Sequence, residues 1–111
     1  MKKVNELRQS IEYALFSAEK QSEPSAEGGR TLLCSAIRLI GAAKHSIQEI
    51  KNLYPSEDLA DYERRLEALL QRRAIIERVL HSVPGVDFSV DGDADREDAA
   101  IYAAYMAAIQ K

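Results

Sequence analysis

The sequence predicts an all-α fold, an antiparallel helical bundle around a long, coiled-coil-like central hairpin closed by a short apolar C-terminal helix. Three observations carry the prediction. Two segments keep a 3,4 spacing over more than twenty residues each, apolar throughout except at Arg73. Only three prolines and five glycines interrupt the 111 residues, and most sit at apparent joints. Tryptophan is absent, phenylalanine scarce, and the aliphatic content is Ala, Leu and Ile, which lose little on entering a helix.

The first helix is expected from about Val4 to Gln21. Val4, Leu7, Ile11, Ala14 and Ala18 recur in steps of three and four, with Leu15 widening the stripe. The stretch from Ser22 to Gly29 breaks the pattern and reads as a loop.

A second helix is expected over 30–53. Leu33, Ala36, Ile40, Ala43, Ile47, Ile50 and Tyr54 step 3, 4, 3, 4, 3, 4, the a/d spacing of a coiled coil. Pro55 ends it, because the residue before a proline is pushed out of the α region. Ser56 is the expected N-cap of a third helix over 57–83, with Glu57 and Asp58 complementing its dipole. Leu59, Tyr62, Leu66, Leu69, Arg73, Ile76, Leu80 and Val83 form its seam. So short a joint folds the second and third helices back on each other.

Pro84 and Gly85 stop the third helix, and 84–94 reads as a loop, its Val86, Phe88 and Val90 extended without a partner strand. A fourth helix is expected over 95–110, capped by Asp93 or Asp95. From Ala99 to Ile109 it bears no charge, and a helix apolar all round is expected to be buried or covered by another chain. The whole of 1–111 reads as one domain.

Composition narrows the function classes. With 46% hydrophobic and 30% charged residues the chain is typical of a globular protein. Residues 1–55 carry eight Lys/Arg against six Asp/Glu, and residues 56–111 seven against twelve. Neither half is basic enough to make nucleic acid an obvious partner. The single cysteine, Cys34, forms no internal disulfide and points to a reducing compartment; it is expected as a partly buried small hydrophobe. The segment from Met1 to Arg8 is amphipathic and charged, unlike a signal peptide. No stretch reaches the roughly 18 apolar residues of a membrane span. The expected location is the cytoplasm.

Candidate chemistry is sparse. Laid on the twelve-residue calcium loop of an EF-hand, 87–98 places oxygen ligands at Asp87, Ser89, Asp91, Asp95 and Asp98, with Gly92 at the turn. Against this, Pro84 and Gly85 break the entering helix, Ala94 stands where a bulky aliphatic belongs, and the closing carboxylate is the short Asp98. The competing reading is an acidic turn that caps the fourth helix, so no metal is expected. Arg64, Arg65, Arg72, Arg73 and Arg78 offer a basic stripe, interleaved with Asp61, Glu63, Glu67 and Glu77. Arg65 and Arg72 at g positions, and Glu63 and Glu77 at e, match the ion pairs that flank a helical seam. Arg73 interrupts the seam itself, either reaching its head to water or pairing with an acid across an interface.

No catalytic constellation accompanies these features. His45 and His81 fall on different helices at positions expected to face solvent. Glu77 and His81 are four apart, not at the Glu-x-x-His spacing of di-iron bundles. There is no P-loop and no G-x-G-x-x-G, and no cofactor or small-molecule substrate is expected. The sequence therefore reads as a non-enzymatic protein–protein interaction module, an adaptor, regulator or inhibitor. It is expected to form a homodimer or bind another protein through the hairpin or the fourth helix. Arg73, Ile101, Tyr102, Tyr105, Met106 and Ile109 are the expected interface residues. A divalent-cation-responsive protein using 87–98, and a nucleic-acid-associated regulator using the arginines, are the alternatives.

Overall fold

A computed structural model describes residues 2–83 and 93–110, with side chains from Val4 to Val83 and from Arg96 to Gln110. Four helices account for most of them: α1 (Lys2–Gln21), α2 (Gly29–Leu53), α3 (Ala60–Ser82) and α4 (Asp93–Ile109). Among the described residues there is no strand, and the all-α bundle stands. The molecule measures 52 × 31 × 17 Å, long in one direction because α2 alone spans about 37 Å at roughly 1.5 Å per residue.

Two apolar clusters sit at opposite ends of the hairpin. Ile11, Ala14, Leu15 and Ala18 of α1 pack with Ile40, Ala43, Ile47 and Ile50 of α2 and with Leu66 and Leu69 of α3. At the other end Leu33 and Ala36 of α2 meet Ile76 and Val79 of α3 and Ile101 and Tyr105 of α4. The hairpin is thus covered by α1 over one half and by α4 over the other. Contacts along it run in opposite numerical order: Lys51 pairs with Glu63 at 3.1 Å, and Arg30 donates to the Val83 carbonyl at 2.6 Å. Between α1 and the run from the joint into α3 the order is the same, Arg8 to Glu57 and then Glu19 to Arg65.

The α2 seam matches its prediction residue by residue, with only Tyr54 left half-buried at the end. In α3 the seam drifts. Leu59, Leu66, Leu69 and Ile76 are buried as expected, but the next buried residue is Val79, and Leu80 lies at the cluster's edge. Along this half the neighbour of α3 changes from α1 to α4, and the buried face of α3 turns with it to take in Val79 beside Ile101 and Tyr105.

Three expectations are corrected. The third helix starts at Ala60, not at 57. Glu57 donates its backbone N–H to the Tyr54 carbonyl at 3.0 Å, closing a turn with Pro55 in its favoured second position. The Ala60 N–H then finds the Asp58 carboxylate at 3.0 Å, so Asp58 serves the helix end in place of Ser56. Leu59, buried in the first cluster, anchors this joint.

The fourth helix is not buried all round. Ile101 and Tyr105 are enclosed, while Ala99, Ala100, Ala103 and Ala107 face solvent. Alanine has little apolar surface and the best helix propensity, so its exposure costs little and its presence overstates the buried face. Cys34, finally, is exposed, one position round α2 from the buried Leu33.

Candidate protein interface

The groups that bind the helices to one another are built first from the joint between α1 and α2. Gly28 takes a left-handed conformation at φ 67°, open to glycine without steric cost, and turns the chain into α2. Its N–H is received by the Asp98 carboxylate of α4 at 2.9 Å. Next to it the Arg30 guanidinium meets Glu97 at 2.5 Å, and the Glu97 side chain is only 2% exposed. At the other end of the same joint the Tyr105 hydroxyl donates to the Ser22 carbonyl. Burial raises the Tyr105 phenol above its ordinary range, with the Arg72 guanidinium 5.9 Å from the ring centroid working in the opposite direction.

The arginines of α3 are distributed among structural roles. Arg65 reaches α1, where Nε and Nη2 bond both oxygens of Glu19 and Nη1 bonds Glu12 at 3.0 Å. Those partners, Glu19 foremost, push its pKa above the ordinary range against the opposing effect of burial. Arg64 pairs with Asp61, and Arg72 lies over Tyr105. The flanking ion pairs implied by the heptad positions thus form at Arg65 and at Glu63, tying α3 to both neighbouring helices.

The sequence-predicted interface residues divide. Ile101 and Tyr105 are inside the chain's own second cluster, and Ile109 packs at its edge. Tyr102 and Met106 are half-buried. Arg73 is half-buried and pairs with Glu77 of its own helix at 2.6 Å, so the acid it finds is local. Of the candidate metal ligands, Asp87, Ser89 and Asp91 lie outside the described residues. Asp95 falls in the first turn of α4, and Asp98 is engaged by Gly28. Among the described residues no three His, Cys, Asp or Glu side chains gather to hold a metal. His45 and His81 face solvent on separate helices, as expected. An open groove of about 460 Å³ between α1 and the start of α3 is lined by Arg8, Arg64 and Arg65 against Glu12, Asp58 and Asp61. Its charges offset one another.

Among the described residues the large apolar side chains left exposed are Leu53, alone at the end of α2, and a pair on the outer face of α1. Tyr13 is 70% exposed and Phe16 50% exposed, one turn apart, and the Lys20 ammonium stands 5.7 Å from the Phe16 ring centroid. Glu6, Gln9 and Ser10 are exposed around them. A search for apolar stripes misses this face, although its signal is present. Glu6, Gln9, Tyr13, Phe16 and Lys20 step 3, 4, 3, 4 on the side of α1 away from the buried stripe.

No protein-family model matches the chain, and neither a curated protein nor a solved structure matches it. No helix among the described residues is long and apolar enough to cross a membrane.

Proposed function

We propose that this chain is a non-enzymatic protein–protein interaction module, an adaptor, regulator or inhibitor that works by presenting the outer face of α1 to another polypeptide. The observation that carries this reading is the exposed aromatic pair Tyr13 and Phe16. Single exposed apolar residues are ordinary. Two aromatics one turn apart on a helix whose opposite face is fully committed to the core are a different matter. Aromatic side chains supply much of the binding energy at protein interfaces and lose little conformational entropy in doing so. The polar groups brought together elsewhere, Arg30 with Glu97 and Arg65 with Glu12 and Glu19, serve as ties between helices. An exposed free thiol at Cys34 fits a protein of the reducing cytoplasm.

A photo-crosslinking amino acid placed at Tyr13 tests the reading in living cells, with the same group at the exposed Gln48 of α2 as control. Discrete protein adducts are expected from position 13 and none from position 48. Adducts at 48 with none at 13 would place the contact surface elsewhere.

A further inference from the structure

We infer that the polypeptide received by the outer face of α1 is a second copy of this chain, its own α1 lying in the opposite direction about a two-fold axis at Tyr13. The inference rests on the reading above and names the partner of that face.

The exposed stripe is self-complementary. Tyr13 stands at its centre, seven residues after Glu6 and seven before Lys20. At about 1.5 Å per residue, each charged end is roughly 10 Å from the centre along the helix. When two copies are opposed about Tyr13, Glu6 of each faces Lys20 of the other, giving an ion pair at both ends. Between the ends the stripe holds no charge: Gln9, Ser10, Tyr13 and Phe16 occupy it. Tyr13 then meets Tyr13 across the axis, and Phe16 meets the partner's Ser10. The parallel alternative sets Glu6 on Glu6 and Lys20 on Lys20, which repels at both ends.

The other charged side chains described on α1 do not disturb this match. Glu12 and Glu19 are turned to Arg65, and Arg8 to Glu57 and to the Tyr62 ring, all toward α3. A foreign helix matches both ends of the stripe only if it carries acid, aromatic pair and base at the same spacing in reverse. A second copy of the chain supplies it by symmetry, and isologous two-fold dimers are the commonest assembly. About four helical turns of contact fall well short of a standard protein interface, so dissociation constants on the order of tens to hundreds of micromolar are expected.

Sedimentation equilibrium of the full chain, from micromolar to millimolar at low ionic strength, tests the inference. A reversible monomer–dimer equilibrium is expected, weakened by salt because its ion pairs are exposed. The double variant Tyr13→Ser with Phe16→Ser is expected to stay monomeric, with an unchanged thermal melt, since both side chains are exposed. Glu6→Lys and Lys20→Glu are each expected to weaken the dimer by about tenfold, because each substitution spoils two symmetric pairs. Combined, they are expected to restore it to within about twofold. Positions 6 and 20 of one helix are roughly 21 Å apart, so such a rescue passes between copies. A monomer throughout, a dimer indifferent to these substitutions, or charge effects that add without rescue would each overturn the inference. Crosslinks from position 13 to a different protein, with a monomeric chain, would retire this partner and leave the interaction surface standing.

Discussion

Asp98 caps a helix to which it does not belong: its carboxylate accepts the Gly28 N–H, 2.9 Å away, at the head of α2. The first N–H groups of a helix have no partner inside it, and a carboxylate at that end also meets the positive pole of the helix dipole. In most helices a neighbour in sequence supplies this acceptor. Here Gly28 has no side chain to do so, and the last helix provides it.

The ion pair beside that cap includes the most enclosed charge of the ion pairs among the described residues, and is expected to be the most sensitive of them. Glu97 is almost fully enclosed, whereas Arg30 retains partial access to solvent. Arg30→Ala leaves the Glu97 charge without its guanidinium in a poorly hydrated place, and is expected to destabilise the chain by about 3 kcal/mol. Urea unfolding of the variant against the parent measures this. Arg73→Leu makes the contrast: its pair with Glu77 is local and half-exposed, so a change within about 1 kcal/mol is expected.

Two glycines are expected to respond in opposite directions. At Gly28 a methyl group meets no atom within 4 Å, but the backbone lies at φ 67°. Gly28→Ala therefore costs about 1 kcal/mol through backbone strain alone. Gly41 sits in the middle of α2 with ordinary helical geometry, and a methyl group there also meets no atom within 4 Å. Gly41→Ala is expected to stabilise by about 0.5–1 kcal/mol, because glycine loses more freedom than alanine in a helix. Thermal melts of the two variants in parallel check both signs.

Leu69 lies in the first cluster at 5% exposure, and Leu69→Ala is expected to cost about 2–5 kcal/mol, the combined loss of burial and opening of a cavity. Denaturant titration at constant m-value reads it. An effect below about 1 kcal/mol would mean that α3 does not bury this face.

The Tyr105 phenol gives the fold an alkaline limit. Because burial raises its pKa in the folded chain, the unfolded chain releases this proton first. Its contribution is complete below the ordinary tyrosine range near pH 10 and is lost as pH rises through the higher folded value. Tyr105→Phe is expected to cost about 1–2 kcal/mol at neutral pH, since the Ser22 carbonyl loses its donor, and to lose less than the parent above pH 10. Unfolding curves at pH 7 and pH 10.5 separate the two effects.

Where apolar spacing alone decides the structure, the sequence is legible. The seams of α1 and α2 emerge residue by residue, because steps of three and four admit only one face. Asp58 in place of Ser56 at the head of α3 is not legible, since the choice depends on Leu59 being drawn into a core three helices deep. The exposed side of α4 is hidden by its alanines, which satisfy a buried helix and a solvent-facing one equally. At the candidate interface, Ile101 and Tyr105 carry the residue types of a contact surface, yet Leu33, Ala36, Ile76 and Val79 of the same chain enclose them. Tyr13 and Phe16 belong to a second stripe of α1, hidden behind the stronger apolar stripe on its other side.

The joint between α1 and α2 is held at both ends by residues that lie 83 and 70 positions further along the chain. Loop closure over such separations is slow, and on the ribosome it must wait for residues 97–105 to be made. Until α4 docks, Leu33, Ala36, Ile76 and Val79 have no roof, and the hairpin has an apolar trough open at one end. Docking of α4 is therefore the step that closes the second cluster.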